Sequence, residues 1–251
     1  MNYGEKAGDD GGFKNPEGVA TGQYDDTKTW DERYWACAEL YKITKNPEYL
    51  ETFEAIVKDG MPNGFGWQSV GDYGNYVFLT MPGAEKESTY QLVYDNFIKQ
   101  ADDLVYETER DGYRISLEGE YVWGSNLSVA NNAMYLILAN NIKANEDYVK
   151  AAFDHMHYCL GANPMSISYV TGYGSLSPEH VHHRPSFALN KTMPGMLVGG
   201  PDKALEDPYA AAVLKDAPPA KCYVDNHASY STNEVTIYWN SPFIFTMNAL
   251  K

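Results

Sequence analysis

The stretch "WDERYWACAELYKITKNPEYLETFEAIVKDG", residues 30–60, decides the fold class because it holds two helical patterns in immediate succession. The first predicts a helix that starts near Asp31, which is placed as an N-cap or first-turn acid. Its expected buried face consists of Trp35, Ala38, Leu40, Tyr41 and Ile43. The second pattern has proline at its head and glycine at its tail, the usual ends of a short helix. So short a connection favours a pair of packed helices.

The rest of the chain continues this pattern. Further helices are predicted over residues 72–80, 85–106, 126–143, 147–160 and 233–250. Strand signals are sparse, and the most strand-like run is "SISYVTGYG" at residues 166–174. That run lies in a long irregular connection over residues 163–208, and loops of such length in a compact domain tend to be functional. We therefore predict an all-α chain of helix pairs joined by long loops, forming one domain over residues 1–251, with an irregular segment at residues 1–20.

Composition narrows the class of partner. With 34 acidic and 19 basic residues, the formal charge of −15 disfavours nucleic acid and suits a neutral ligand or a cation. No segment is long and apolar enough for a membrane span, and "MNYGEKAGDDGGF" lacks the apolar core of a signal peptide. The cysteines Cys37, Cys159 and Cys222 are far apart and predict buried free thiols rather than a disulfide framework.

One carboxylate lies among aromatic and β-branched side chains in "YSTNEVTIYWNSPF", residues 230–243. Burial in such surroundings would raise the pKa of Glu234 and keep it protonated, as a general acid requires. The alternative is a first-turn acid of the last helix, with Asn233 or Thr232 as its cap. The local sequence leaves both open.

A cluster of nitrogen donors occurs in "EHVHHRPS", residues 179–186, which contains His180, His182, His183 and Arg184. Zinc is disfavoured because no further ligand stands at a supporting spacing and Arg184 adds a positive charge. Donors on a loop are better suited to gripping hydroxyl groups or orienting a carboxylate.

Several segments together resemble glycoside hydrolase family nine, the inverting endoglucanases with an (α/α)6 barrel. In chain order they are "TGQYDDTKTWDERYWACAELYKIT", "YVWGSNLSVANNAMYLILA", "YCLGANPMSISYVTGYG", "HVHHRPS", "PGMLVGGP", "YVDN" and "STNEVTIYWNSPF". The resemblance extends over nearly the whole chain. It implies hydrolysis of β-1,4-glucosidic bonds in cellulose or a related β-glucan, with no organic cofactor, in an extracellular or periplasmic setting.

The resemblance also implies roles for individual residues. Glu234 would be the general acid that protonates the departing glycosidic oxygen, and Asp225, in "YVDN", would help to order it. His182 and Arg184 would contact the sugars beside the cleaved bond. The side chains expected to stack on sugar rings are Trp123 and Trp67.

A structural calcium site is implied by the match at "TKTWDE". Asp31, Glu32 and Asp72 would be side-chain ligands, and Thr27 and Lys28 would contribute side-chain or backbone oxygen. Oxygen-only ligation is what a hard cation prefers.

The sequence departs from the family at the second catalytic carboxylate. Inversion needs a base, ~6.5–9.5 Å from the acid, that activates water. The family supplies it from a D-x-G-D motif upstream of "TG-x-Y", whereas "GDDGG" at residues 8–12 has neither the right pattern nor the right position. We therefore expect this chain to be the C-terminal half of a catalytic domain. The N-terminal half of the barrel would be absent from it and would be its natural partner. The alternative is a noncatalytic chain that still binds glucan or calcium.

Overall fold

Helices make up all the regular secondary structure in the part of the chain that the structure, a computed structural model, describes: residues 14–19, 22, 26 and 28–251. The α-helices are α1 (Trp30–Thr44), α2 (Pro47–Gly60), α3 (Gly71–Leu79), α4 (Tyr90–Arg110), α5 (Ser125–Ile142), α6 (Glu146–Cys159), α7 (Arg184–Leu189), α8 (Pro208–Val213), α9 (Tyr230–Asn233) and α10 (Ile237–Ala249). Single 3-10 turns form at Ala84–Lys86 and Pro219–Lys221. The all-α prediction is confirmed.

The chain divides into two compact units, Met1–Phe97 and Ile98–Lys251, and the boundary falls inside α4. The prediction of one domain over residues 1–251 stays a prediction.

In the first unit, α1 packs against α2 and α3. The connection between α1 and α2 follows from local chemistry: Lys45 adopts the left-handed conformation after α1, and the Asn46 side chain caps α2 ahead of Pro47. The core centres on a column of rings, since Tyr34 stacks on Phe53 at 4.2 Å and Phe53 contacts Phe78 at 4.5 Å.

The buried face of α1 differs from the predicted one. Tyr34, Cys37 and Ala38 are buried, whereas Ile43 is 77% exposed and the other predicted side chains are half-buried. Because Tyr34 donates its hydroxyl to Asn75 on α3 at 2.6 Å, that ring rather than Trp35 occupies the centre of the core. The helix itself was predicted correctly, but its observed buried face is rotated about the helix axis relative to the predicted one.

In the second unit, α5 packs against α6 and α10. Close approach is possible because the buried side of α5 carries small side chains, including Ala130 and Ala133. The predicted last helix, 233–250, is shorter than expected: α10 begins at Ile237, where the Thr236 hydroxyl accepts from the Trp239 N–H at 3.2 Å.

The long connection after α6 is irregular, as predicted, but it is anchored rather than loose. The strand-like run 166–174 contributes only an isolated antiparallel bridge between Val170 and Leu197. A second isolated bridge, parallel, pairs His182 with Glu234. These backbone contacts bring two distant parts of the sequence to one place.

Two further expectations can be compared with the structure. Cys37, Cys159 and Cys222 are buried and are not joined in disulfides, as predicted. Over the described residues, no helix has the length and apolar character needed to cross a membrane.

Candidate active site

Glu234 lies in a short extended link between α9 and α10. Its backbone is extended, with φ −66° and ψ 154°. Its N–H donates to the Tyr230 carbonyl at 3.3 Å, and its own carbonyl accepts from the Gly199 N–H at 3.0 Å. The first-turn alternative is therefore wrong, because α10 starts at Ile237 and is capped by Thr236.

The Glu234 carboxyl is half-buried beside two side chains that the sequence also singled out. Burial raises the pKa of Glu234 above its ordinary value, while the charge of His182 and a hydrogen bond from the Trp123 side chain act in the opposite direction. The net shift is upward. Such a group holds a proton closer to neutral pH and still has partners that stabilise the carboxylate after the proton leaves.

His182 is held next to Glu234 by the backbone. Its N–H donates to the Asn233 carbonyl at 2.8 Å, and its Nδ1 lies 2.6 Å from the carbonyl oxygen of His227. Since a carbonyl oxygen can only accept, Nδ1 carries the proton and Nε2 is the nitrogen left for other contacts. The imidazole also stands edge-on to the ring of Tyr230 at 5.9 Å.

Arg184 is the first residue of α7 and is exposed. It forms no ion pair with any residue that the structure describes. Its five N–H donors therefore suit a polar ligand. His183, the N-cap of α7, uses its Nδ1 on the Ser186 hydroxyl at 2.9 Å.

Asp225 acts on the loop that carries these histidines. Its carboxylate accepts from the backbone N–H groups of Glu179 and His180 at 2.7 and 2.9 Å. It also accepts from the Asn233 side-chain amide at 2.9 Å. These contacts reach Glu234 through the neighbouring Asn233. The predicted ordering role of Asp225 stays a prediction, and Asn233 is the residue through which it would act.

The sequence suggested Asn233 only as a possible helix cap, and its anchoring role was missed. Asn233 is fully buried, its side-chain Oδ1 accepts from the Tyr223 hydroxyl at 2.7 Å, and its side-chain N–H donates to the His180 carbonyl at 2.9 Å. Its position immediately before Glu234 was the available signal. The amide joins the histidine loop to the link that carries the acid.

The two tryptophans of interest lie in different units. Trp123, in the second unit, is 38% exposed and packs against the Tyr230 ring at 5.4 Å. Trp67, in the first unit, is 43% exposed in a turn closed by the hydrogen bond from Gly66 N to Ser69 O at 2.8 Å. Both present an aromatic surface to solvent, as a sugar-stacking side chain must.

The residues predicted to bind calcium fall into two groups. Asp31 Oδ1 and Glu32 Oε2 are buried and have no hydrogen-bond partner among the described residues, which is costly for a carboxylate unless a cation is present. Asp72 is already engaged, since it accepts from the Gly64 N–H at 2.6 Å and from the Asn75 amide at 2.9 Å. The first pair fits a cation better than the third carboxylate does.

Thr27 lies outside the described residues. Lys28 is exposed and donates its backbone N–H to Asp26 at 3.1 Å. Within the described ranges, no three His, Cys, Asp or Glu side chains gather closely enough to hold a metal ion, and this includes the histidines at 180, 182 and 183.

Comparison with known proteins places these features in one family. The family model described as Glycosyl hydrolase family 9 matches residues 3–247. A cellodextrinase from Butyrivibrio fibrisolvens is 34% identical, over 95% of this chain and 47% of its own length. A cellulose 1,4-beta-cellobiosidase from Acetivibrio thermocellus is also 34% identical, over 90% of this chain and 29% of its own length.

Solved structures agree. A single mutant of a thermostable endoglucanase from Alicyclobacillus acidocaldarius superposes with a TM-score of 0.90 at 35% identity, covering 95% of this chain and 46% of that one. AaCel9A in complex with a cellobiose-like isofagomine gives a TM-score of 0.87, with the same identity and coverage. These neighbours are (α/α)6-barrel enzymes, and the chain spans about half of their length. The chain belongs to glycosyl hydrolase family 9.

Proposed function

We propose that this chain supplies the acid side of a glycosidase site that hydrolyses β-1,4-glucosidic bonds in cellulose or a related β-glucan with inversion. Glu234 donates a proton to the departing glycosidic oxygen. A water molecule, activated by a carboxylate base, attacks the anomeric carbon from the opposite face of the sugar. One observation carries the proposal: the Glu234 carboxyl is half-buried, and the Trp123 side chain and His182 act on it directly.

This arrangement serves both stages of proton donation. Before the transfer, burial disfavours the carboxylate and keeps the proton on Glu234. As the proton leaves, the hydrogen bond from Trp123 and the charge of His182 stabilise the developing carboxylate. Glu234 therefore keeps its proton to a higher pH than an exposed glutamate would, without holding it too tightly.

Substrate binding is assigned to side chains that present hydrogen-bonding groups or ring faces to solvent. His182 offers Nε2 because Nδ1 is taken by the His227 carbonyl. Arg184 offers exposed N–H donors, and Trp123 and Trp67 offer exposed ring faces. The names of relatives include a cellodextrinase and a xyloglucan-specific endo-beta-1,4-glucanase. The alternative substrates are mixed-linkage glucan, xyloglucan and chitosan-derived oligosaccharides. The proposed location of the reaction is extracellular or periplasmic.

The second candidate function is binding without cleavage. It is favoured by the absence from this sequence of the D-x-G-D motif that supplies the base in the family. The "GDDGG" segment at residues 8–12 lies outside the described residues. On this hypothesis, the chain retains glucan or calcium affinity, and the N-terminal half of a family domain would restore turnover as a partner.

Incubating the purified chain with carboxymethyl-cellulose and assaying new reducing ends separates the two functions. Hydrolysis with first-formed α-anomeric product, followed by proton NMR, supports the enzymatic proposal. No turnover, together with calorimetric binding of cellotetraose, supports the binding function. A chain that shows neither turnover nor binding would contradict both functions.

A matched pair of variants tests the role of the acid. Glu234→Gln should lower turnover by about 10²–10⁴-fold, the usual contribution of a general acid, while cellotetraose binding persists. Glu179→Gln removes an exposed carboxylate from the histidine loop and should leave turnover unchanged. Retention of full activity by Glu234→Gln would show that another group donates the proton.

We also propose that calcium binds at Asp31 and Glu32, with Asp72, Thr27 and Lys28 as the further predicted ligands. Support comes from one buried oxygen on each of the first two residues, for which no described group is a hydrogen-bond partner. Burial raises the pKa of Glu32 to about 7, and a hydrogen bond with Asp31 and the like charge of Asp31 act in the same direction. A bound cation would compensate this pair and stabilise the start of α1.

A further inference from the structure

A second buried carboxylate, Asp207, lies beside the segment that leads to Glu234. It is 1% exposed and caps α8, where one oxygen accepts from the Ala210 N–H at 2.7 Å. Its other oxygen accepts from the Ser229 hydroxyl at 2.7 Å, and from the N–H and hydroxyl of Ser231 at 3.0 and 2.8 Å. Only the first of these contacts serves the helix cap.

The remaining contacts give Asp207 a role outside its own helix. Burial alone would raise the pKa of Asp207, but hydrogen bonds from Ala210, Ser229 and Ser231 outweigh it and hold the pKa below its ordinary value. The side chain is therefore an ionised carboxylate whose bonds to residues 229–231 are charge-assisted. Such bonds are shorter and stronger than neutral ones.

The segment that Asp207 contacts cannot hold its own shape. The α9 turn, Tyr230–Asn233, has four residues, and a helix that short is unstable in isolation. Its geometry must come from neighbouring groups. Asp225 and Tyr223 hold its end at Asn233, while Asp207 holds its beginning at Ser231.

The Tyr230–Asn233 turn also determines the position of Glu234. Glu234 follows it directly, and its N–H donates to the Tyr230 carbonyl at 3.3 Å. The Tyr230 ring lies against both Trp123 and His182, at 5.4 and 5.9 Å. A displaced turn would therefore move Glu234 and disturb the two side chains that act on it.

We propose that Asp207 is a positioning residue for the general acid, holding the Tyr230–Asn233 turn so that the Glu234 carboxyl stays half-buried beside Trp123 and His182. This assignment rests on the proposed function for the catalytic meaning of Glu234. The contacts of Asp207 themselves do not depend on turnover. Without them, the link becomes mobile and Glu234 gains access to water.

The test is the titration of Glu234 itself. The side-chain carboxyl carbon is followed by NMR in protein carrying carbon-13 glutamate, and Glu234→Gln identifies its signal. In Asp207→Asn, the Glu234 pKa should fall toward the ordinary glutamate range because burial is its largest upward cause. In the wild type, burial outweighs the opposing charge of His182, the titratable group that acts on Glu234.

A matched control is available in Asp202→Asn. Asp202 is also fully buried, and its carboxylate accepts from the N–H groups of Ala204 and Glu206 at 3.0 and 2.8 Å. The Asp202→Asn variant thus loses a buried carboxylate, as Asp207→Asn does, while the contacts of Asp207 to residues 229–231 remain. The Glu234 titration should keep its wild-type midpoint in this control.

Hydrogen exchange gives a second measurement. The Ser231 and Glu234 amides should exchange at least about tenfold faster in Asp207→Asn, since a lost hydrogen bond to a charged group favours local opening. An unchanged Glu234 titration in Asp207→Asn would overturn the proposal. So would an equal shift in Asp202→Asn, because it would indicate general loosening.

Two further points keep the test decisive. If Asp207→Asn fails to fold, the double variant Ser229→Ala/Ser231→Ala removes two hydroxyl donors and keeps the cap of α8. The double variant should shift the midpoint of the Glu234 titration in the same direction. The absence of a shift would overturn the proposal. If Glu234→Gln retained full turnover, the proposed function would fail while the NMR result on Asp207 stood. The two failures are therefore distinguishable.

Discussion

The buried histidine of α6 makes a quantitative prediction about stability. His155 is fully buried, its Nδ1 lies 2.8 Å from the Ala151 carbonyl, and its Nε2 accepts from the Ser116 N–H and hydroxyl at 3.2 and 2.8 Å. Ser116 is in turn bound by the Asn132 amide of α5 at 2.9 Å. The neutral imidazole thus joins α5, α6 and the segment between α4 and α5.

Burial lowers the pKa of His155 from 6.5 to about 4, against the smaller opposing effects of the Ala151 carbonyl, Asp154 and Asp111. The unfolded chain therefore binds a proton at a higher pH than the folded chain does. This contribution to stability is complete above pH 6.5 and is lost as the pH falls toward 4. Between pH 7 and pH 5, the linked loss is about 2 kcal/mol of unfolding free energy.

Urea unfolding at pH 7 and pH 5 measures this loss, and variants isolate it from other titrating groups. His155→Gln should remove the ~2 kcal/mol component while costing about 1–3 kcal/mol at pH 7 from broken buried hydrogen bonds. His157→Gln, at an exposed position on the same helix, should keep the wild-type pH dependence. If His155→Gln loses as much stability between pH 7 and pH 5 as the wild type, the reasoning is refuted.

Other perturbations have defined outcomes. A Cβ at Gly74 would meet the Tyr34 ring at 2.7 Å, so Gly74→Ala should lower the unfolding free energy by about 1–3 kcal/mol in a urea titration. Asp225→Asn weakens the anchoring of the histidine loop, so the dissociation constant for cellotetraose should rise in calorimetry. Calcium at about 100 times its dissociation constant should add ~2.7 kcal/mol of stability, seen as a higher thermal midpoint, and Asp31→Asn/Glu32→Gln should abolish that gain.

Each of these predictions has a control and a contradicting result. Gly112→Ala, where a Cβ meets nothing within 4 Å, should be neutral, and an equal loss at both glycines would contradict the packing argument. Asp216→Asn and Asp59→Asn remove exposed carboxylates and should leave glucan affinity and the calcium response unchanged. A thermal midpoint that chelation and added calcium both leave unchanged would contradict the cation site.

The helices could be predicted from sequence because their signals are local. Pro47 begins α2 and Gly60 ends it, as the pattern indicates, and the helix bounds agree closely for α3, α5 and α6. The start of α10 was misplaced because a distant contact decides it. The His182–Glu234 bridge holds Glu234 in an extended conformation, which moves the cap to Thr236.

The candidate site was predictable in its residue types and not in its supports. Glu234, His182 and Trp123 lie in recognisable motifs, and the structure brings them together. Asp207 and His155 bind partners 22–24 and 39 residues away, respectively, so no local pattern marks them. Their roles depend on which polar groups become buried together, a property of the folded chain.

The central claim is that Glu234 donates the proton to the leaving oxygen. The most direct measurement compares hydrolysis of two cellobiosides by the wild type and Glu234→Gln, one with an activated dinitrophenol leaving group and one with a sugar leaving group. Protonation matters little for the activated phenol. The account predicts a loss of about 10²–10⁴-fold for the sugar leaving group and a much smaller loss for dinitrophenol. Equal losses on both substrates would contradict it.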